Sequence, residues 1–272
     1  MADQAAKAER FLGLHHGGEL LLLPNPWDRG SARLLASLGF QALATTSSGF
    51  AATLGRLDGG VTREEAIAHA SAIVEATELP VSADLENGFA DAPEAVADTS
   101  RLALEAGVAG WSIEDFTGQR DEPIYEIGLA AERIAAAAEV AHGGPARLVL
   151  TGRAENYVHG RPDLGDTIGR LQAYQEAGAD VLFAPGLQSL EEIREVLASV
   201  DRPLNVLAVP GAPTVSQLGA AGVSRVSVGG AFAFAALGGA IEAARELSEQ
   251  GTYGYLERAG VGAKGARAAF GS

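Results

Sequence analysis

The sequence contains no cysteine among its 272 residues. This absence excludes disulfide bonds, thiolate nucleophiles and cysteine-ligated zinc, and it is typical of proteins of the reducing cytoplasm. Basic residues are also few, because 20 Lys and Arg stand against 35 Asp and Glu and give a formal net charge of -15. Such a balance does not suit the neutralisation of a nucleic-acid backbone, so we expect any anionic ligand to be held by local features.

Long apolar runs are missing as well. The opening segment MADQAAKAERFLGL has neither the basic region nor the long apolar core of a signal peptide. No window of about 18 uninterrupted apolar residues indicates a membrane span. We therefore expect a soluble cytoplasmic protein that binds neither nucleic acid nor membrane.

The main architectural signal is an alternation of eight β-type runs with segments whose apolar residues recur every three or four positions. ELLLLPN, PVSADLE and SRVSVGG are examples of the β-type runs. Eight such units predict a (β/α)8 barrel in a single domain spanning residues 1–272, with a C-terminal helical tail from about residue 240. The alternative is an open doubly wound sheet, but no GxGxxG motif follows the first strand.

Polar residues gather where the predicted strands end. In a (β/α)8 barrel these positions and the loops after them face the active site. The candidates are Asn25, Asp28, Thr45, Thr46, Ser47, Ser48, Asp84, Glu86, Glu114, Asp115, Arg153, Glu155, Asn156, Asn205, Gly229 and Gly230.

Three of these candidates are acids on neighbouring strands. Asp84 and Glu86 are two positions apart on a strand predicted to run through PVSADLE, so their side chains leave the same face. Glu114 ends the next strand. An all-oxygen set without histidine or cysteine suits Mg²⁺ or Mn²⁺, with one carboxylate on the ion and the others holding its waters. The alternative is that these acids only cap loops.

Arg153 is the cation found at a strand end. Its guanidinium can clamp a substrate carboxylate or phosphonate in a bidentate manner, or it can be a buried partner for Glu155 or Glu114. The hydroxyl-rich run from Thr45 to Gly49 offers hydroxyls and amides to the same carboxylate, or forms a polar turn that caps the next segment.

Two weaker features complete the candidates. Gly229 and Gly230 can cradle a phosphate with their amides, or can serve only close helix packing. Histidines at predicted strand ends are absent, which argues against a histidine relay or a histidine-ligated zinc, although His159 lies in the loop after the fifth strand.

At these residues the chain resembles the isocitrate lyase and phosphoenolpyruvate mutase superfamily, including members named as carboxyvinyl-carboxyphosphonate phosphorylmutases. The resemblance rests on the order and spacing of LLLPNPWDRGSARLLASLGF, SSGFAATLGRLDGG, SADLENGF, WSIEDF, LTGRAENY and AGADVLFAPG. It implies a barrel whose last helix is often exchanged within a homodimer or homotetramer. It also implies a Mg²⁺ site that holds an α-keto acid or its enolate.

Residue roles follow from the same resemblance. Asp84 and Glu86 match the acidic motif at the metal, and Glu114 matches the next acid of the metal site. Arg153 matches the arginine on the substrate carboxylate, and Asp58 matches an acid near the substrate. Thr46 and Ser47 fall near a Ser-Gly pair whose amides bind substrate, while Asn205 remains a substrate-binding candidate from its place at the end of the seventh strand.

The chain departs from the superfamily in the loop after the fourth strand. Lyase members carry a Lys-Cys-Gly-His motif there, and mutase members use Lys with Asn or Thr. The corresponding segment EDFTGQRDEPIYEIGL lacks cysteine, lysine and histidine. The acid or base is therefore unassigned, with Thr117, Gln119, Arg120, Tyr125 and Tyr157 as the candidates.

These observations predict a Mg²⁺- or Mn²⁺-dependent lyase of the C–C bond or a decarboxylase, acting on a small α-keto acid or related dicarboxylate through an enolate-like intermediate. Arg153, Glu114 and Asp58 are its predicted catalytic residues. Two alternatives stay open: P–C bond chemistry, as in phosphonopyruvate hydrolysis or phosphorylmutase activity, and a keto-acid-binding protein without catalysis.

Overall fold

The computed structural model of the chain describes residues 2–271. Its eight strands are parallel and neighbour one another in the order β1-β8-β7-β6-β5-β4-β3-β2. The strands are β1 (Leu21–Leu23), β2 (Leu43–Ala44), β3 (Val81–Asp84), β4 (Gly110–Glu114), β5 (Val149–Arg153), β6 (Val181–Phe183), β7 (Leu204–Leu207) and β8 (Arg225–Ser227). The amide of Ala44 donates to the carbonyl of Pro24 at 3.1 Å and links β2 to the segment after β1. The prediction of a (β/α)8 barrel is confirmed.

Helices connect and flank these strands. They are α1 (Ala2–His16), α2 (Arg29–Ser37), α3 (Ser47–Thr53), α4 (Arg63–Glu75), α5 (Pro93–Glu105), α6 (Ile127–His142), α7 (Leu164–Glu176), α8 (Leu190–Ser199), α9 (Val215–Ala221), α10 (Ala231–Arg245) and α11 (Leu256–Phe270), with a π-helical turn over Glu246–Gln250 after α10. The sequence pattern did not indicate α1, which precedes the barrel and buries Ala8 and Phe11 in the core.

Side-chain caps set the starts of several helices. Thr62 and Glu65 form a reciprocal capping box at α4, in which the Glu65 amide donates to Thr62 Oγ1 at 3.3 Å. Asp28 caps α2 by accepting from the Ser31 amide at 2.6 Å. The Asp28 side chain, a candidate for the site in the sequence, therefore serves the helix start.

The alternation of each strand divides the core into two parts. Outward residues such as Trp111, Ile113 and Leu150 are fully buried beneath the helices. Inward residues are polar at several positions, among them Ser82 and Thr151. The interior of a (β/α)8 barrel is ordinarily filled by bulky aliphatic side chains. Several of the polar side chains found here instead line the cavity described below.

The C-terminal segment stands apart from the barrel wall. In α10 the buried residue is Ala233, and in α11 it is Ala269, while most other side chains of both helices are exposed. Helix α11 packs against α2. Across residues 2–271, each helix is too short or too polar to cross a membrane.

Candidate active site

A cavity of about 210 Å³ opens at the carboxyl ends of the strands and continues into the barrel. Its lining includes the candidates Asn25, Thr45, Thr46, Ser47, Ser48, Asp58, Asp84, Arg153, Asn205, Gly229 and Gly230. The predicted position of Asn205 at the end of its strand was wrong, because Asn205 is the second residue of β7 and pairs with Arg225 at the start of β8, deep in the cavity. Drug-sized ligands occupy pockets of about 300–1,000 Å³, so this volume suits a smaller molecule.

Arg153, the last residue of β5, lies among the acids at the mouth of the cavity. Its Nη1 is 3.1 Å from Glu114 Oε2 and 3.7 Å from Asp84 Oδ1, and its Nε donates to Glu155. The strand register explains the contact between Glu114 and Arg153, because these residues are direct partners in the β4–β5 ladder. Burial opposes the charge of Arg153, but Glu114, Glu155 and Asp84 together raise its pKa.

Asp84 is the best-anchored acid of the cavity. Its Oδ2 accepts from the Ser47 amide at 3.0 Å, and its own amide donates to Thr45 Oγ1 at 2.8 Å. These two bonds hold the carboxylate between the β2 loop and Arg153. The side chains of Asp84, Glu114 and Arg153 thus lie together at the ends of β3, β4 and β5.

The predicted extent of the third strand was wrong. The strand ends at Asp84, and Glu86 has a positive φ of 48°, which is uncommon for a residue other than glycine. Asp84 Oδ1 accepts from the Glu86 amide at 3.3 Å, a local turn that interrupts the strand. Strand alternation consequently does not place Glu86 beside Asp84; the turn does.

The electrostatics of these acids show a shortage of positive charge. Burial, with Asp84 and Asp58 adding repulsion, raises the pKa of Glu86 to about 8. Burial also raises the pKa of Glu114 well above its ordinary range, against the attraction of Arg153. The guanidinium of Arg153 forms ion pairs with Asp84, Glu114 and Glu155, and its charge attracts Asp58 and Glu86 from a longer distance.

This donor set fits a hard divalent cation. Within residues 2–271, no three histidine or acidic side chains lie close enough to hold a metal ion directly. Magnesium keeps several waters and needs one or two carboxylates, so the absence of a tight cage does not conflict with it. Asp84 is the residue that would bind the ion, with Glu86 and Glu114 holding its waters and relieved of their mutual repulsion.

The loop after β2 lines one wall of the cavity. Thr46 is the N-cap of α3 and accepts from the Gly49 amide at 3.3 Å, so its hydroxyl has a structural role in addition to any contact with substrate. Ser47 donates its amide to Asp84 and stands at the mouth. Asp58 lies on the loop between α3 and α4, at the exposed rim.

Three other strand-end residues serve the framework. Asp115 turns away from the cavity and accepts from the Glu155 amide at 2.7 Å, from Arg170 at 3.2 Å and from Tyr174 at 2.5 Å. Asn156 fastens the loop after β5 by donating to Thr167 Oγ1 at 2.7 Å. Asn25 lines the cavity, and its Oδ1 accepts from the amides of Val228 and Gly229 at 2.9 Å.

The hydroxyl groups of the acid–base candidates near the fourth and fifth strands already donate hydrogen bonds within the protein. The Thr117 hydroxyl donates to the Glu122 carbonyl at 2.6 Å, the Tyr157 hydroxyl donates to Glu192 at 2.9 Å, and the Tyr125 hydroxyl donates to Asp91. Gln119 and Arg120 are exposed on the loop after β4.

His159 is closer to the acidic cluster. Its ring stacks on Phe116, with centroids 3.8 Å apart, and its Nε2 is 3.4 Å from Glu155.

Sequence reasoning missed the inner part of the cavity. Ser82, Ser112, Phe183, Arg225 and Ser227 also line it. A signal was available, because Ser82, Ser112 and Thr151 each precede a strand-end charge by two positions, at Asp84, Glu114 and Arg153. That spacing directs a hydroxyl into the barrel directly beneath each charge.

An eight-stranded parallel barrel with a polar cavity at the carboxyl ends of its strands is the architecture of (β/α)8 enzymes, which have their active sites at this end. The chain belongs to the phosphoenolpyruvate phosphomutase family, whose model matches residues 11–248. It is thereby a member of the isocitrate lyase and phosphoenolpyruvate mutase superfamily.

Named relatives agree with this assignment. The 2-methylisocitrate lyase of Halalkalibacterium halodurans is 33% identical over 212 residues, which are 74% of this chain and 67% of the relative. A Burkholderia cenocepacia crystal structure described as a lyase/mutase is 51% identical, with a TM-score of 0.92 and coverage of 94% of this chain and 93% of that chain. A structure of oxaloacetate acetylhydrolase with its product oxalate is 26% identical, with a TM-score of 0.83 and coverage of 91% and 89%.

These relatives define the protein as an enzyme of the lyase and mutase class. Lyases of the superfamily are generally metal-dependent.

Proposed function

We propose that the chain is a Mg²⁺- or Mn²⁺-dependent enzyme that breaks a C–C bond of a small α-keto acid or related dicarboxylate through an enolate-like intermediate. The observation that carries the proposal is the contact of Arg153 with the carboxylates of Asp84, Glu114 and Glu155 at a cavity of about 210 Å³ that Arg153 and Asp84 line. Such a site attracts a divalent cation, and the small volume suits a short polar substrate.

Each residue at the cavity has a distinct role in the proposed reaction. Arg153 orients a substrate carboxylate, since its side chain lines the cavity and a guanidinium matches a carboxylate in a bidentate manner. Asp84 would hold the cation, and Glu86 and Glu114 would order its waters. A cation bound there supplies the positive charge that stabilises a developing oxyanion, an effect worth several kcal/mol. Ser47 and Thr46 border the same space and help to exclude bulk water.

Decarboxylation is the reaction that these residues favour. The electrons of the broken C–C bond pass to the keto group as an enolate, carbon dioxide leaves, and solvent returns a proton to the carbon. This sequence needs no side-chain base, which agrees with the structural engagement of Thr117, Tyr125 and Tyr157. Oxaloacetate, the substrate named for one solved relative, is the first compound to test.

The test compares oxaloacetate, phosphonopyruvate and 2-methylisocitrate, each with Mg²⁺, Mn²⁺ or EDTA. We expect metal-dependent turnover of oxaloacetate that falls by about 100-fold or more in Asp84→Asn and Glu114→Gln. Glu132→Gln, an exposed position on α6, is the matched control and should retain full activity. Each rate is corrected for the same metal concentration without enzyme, because free divalent cations also decarboxylate oxaloacetate.

Other outcomes decide against the proposal. Turnover of phosphonopyruvate in place of oxaloacetate would assign P–C chemistry to the site. Tight binding of oxalate without turnover of any of the three compounds would identify a keto-acid-binding protein. Equal rates with metal and with EDTA would remove the cation from the mechanism.

We also propose that the enzyme works as a homodimer or homotetramer in the cytoplasm, with the last barrel helix shared between subunits. The support is the exposed apolar stripe of α10, where Phe234, Leu237 and Ile241 are 50%, 46% and 52% exposed. Leu22 on the outer face of β1 is also 40% exposed. Light scattering on wild type and on Leu237→Glu tests this, since a monomeric wild type would contradict the proposal.

A further inference from the structure

The inner half of the cavity contains a second arginine that the proposed mechanism does not use. Arg225 begins β8, so it lies at the opposite end of its strand from the mouth. Its side chain nevertheless lines the cavity, because its Nη2 reaches across the barrel to Thr151 Oγ1 on β5 at 3.2 Å. Arg225 therefore forms the floor of the cavity whose mouth holds Asp84 and Arg153.

The partners of Arg225 are all neutral acceptors. Its Nε donates to Asn205 Oδ1 at 2.9 Å, and its Nη1 is 3.2 Å from His15 Nε2. The Nδ1 atom of His15 is 2.7 Å from the Phe11 carbonyl, so it carries the proton and leaves Nε2 to accept. Burial, with the nearby Arg225 charge adding to it, lowers the pKa of His15 to about 3, which keeps the ring uncharged.

Arg225 is thus a buried charge without a counter-ion among residues 2–271. Ion pairs within 4.0 Å join other arginines to acids, as at Arg153 and Arg170, but none includes Arg225. Burial lowers the pKa of Arg225 to about 9, so the guanidinium still carries its charge at neutral pH. An unpaired buried charge is costly, and an anion that enters the cavity would relieve that cost.

The surroundings of Arg225 are suited to a carboxylate rather than to an apolar group. Ser82, Ser112 and Ser227 line the cavity between the floor and the mouth, and Ser227 Oγ accepts from Asn205 Nδ2 at 2.9 Å. These hydroxyls can donate to a second carboxylate or to its waters. Arg153 differs from Arg225, because three carboxylates of the chain already share its charge.

We infer that Arg225 is a specificity residue that binds the far carboxylate of a dicarboxylic α-keto acid, whose keto-acid end lies at Asp84 and Arg153. This inference rests on the proposed function and narrows its substrate class to diacids. The cavity then has one recognition group at each end, and a monocarboxylic keto acid such as pyruvate leaves the floor charge unpaired. The enzyme should therefore discriminate between the two acids by affinity.

The test measures binding by calorimetry in the presence of Mg²⁺, with 3,3-difluorooxaloacetate as the diacid and pyruvate as the monoacid. In wild type we expect the diacid to bind at least about 10-fold more tightly than pyruvate. Arg225→Met should lower the diacid affinity by about 10- to 100-fold and leave the pyruvate affinity within twofold. Arg225→Lys should restore part of the loss.

A second pair of variants leaves Arg225 in place. Thr151 is the partner of Arg225 Nη2, so Thr151→Asp places a carboxylate of the protein beside the Arg225 guanidinium. This carboxylate should compete with the ligand and weaken diacid binding, whereas the neutral Thr151→Asn should not. Thermal unfolding of each variant shows that it is folded. This pair keeps the inference testable if Arg225→Met does not fold.

If Arg225→Met and Thr151→Asp lower the affinity for both acids equally, or leave both affinities unchanged, the inference is overturned. Arg225 would then have the structural role of linking α1 to the barrel. The proposed function fails separately, by the absence of turnover, because the binding readout needs no reaction.

Discussion

Glu86 should make the metal-free protein less stable as the pH rises. Burial and repulsion from Asp84 and Asp58 raise its pKa from 4.5 to about 8. Between these values the folded protein retains a proton that the unfolded chain has released, so the free energy of unfolding falls with increasing pH. The slope is about 1.4 kcal/mol per pH unit at most, and partial exposure reduces the total to about 2–4 kcal/mol between pH 5 and pH 9.

Urea unfolding in EDTA, followed through the fluorescence of the buried Trp111, measures this effect. Glu86→Gln cannot ionise, so its advantage over wild type should grow by about 2–4 kcal/mol from pH 5 to pH 9. The exposed Glu132→Gln should follow wild type at every pH. Addition of Mg²⁺ should restore most of the wild-type loss, because a cation favours the ionised carboxylate. Parallel curves for wild type and Glu86→Gln would refute the electrostatic description of the site.

Three further substitutions distinguish residues that bind the cation from residues that stabilise the fold. Asp84→Asn should abolish the stabilisation by saturating Mg²⁺, which for wild type at 100 times the dissociation constant is about 2.7 kcal/mol; an unchanged thermal shift would contradict the assignment of Asp84 to the ion. Asp115→Asn weakens the bonds from Tyr174 and Arg170 and should cost about 1–3 kcal/mol in urea unfolding, with the Mg²⁺ response intact. Gly152→Ala places a methyl group 2.9 Å from Tyr174 Cβ and should lower the free energy of unfolding by about 1–3 kcal/mol. An unfolding midpoint equal to that of wild type would contradict this prediction and show that the backbone of β5 shifts to accommodate the methyl group.

The mouth of the active site was largely predictable from the sequence. Asp84, Glu114 and Arg153 end three consecutive strands, and in a parallel barrel consecutive strand ends are neighbours in space. The sequence also predicted a helical tail, in which α11 forms although Gly260, Gly262 and Gly265 lower its intrinsic helix propensity, and its packing on α2 compensates. Asp115 was misjudged because adjacent residues leave opposite faces of a strand, and only the buried partners Tyr174 and Arg170 show which face it takes.

The sequence by itself determined the number of strands, the barrel class and the acids at the mouth, since hydrophobic periodicity and chain order are local properties. The tertiary structure decided the turn at Glu86, whose positive φ depends on a hydrogen bond to Asp84. It also decided the place of Arg225. The sheet curves so that β8 faces β5, three strands away, across the interior, and an arginine at the start of a strand therefore forms the floor of the cavity.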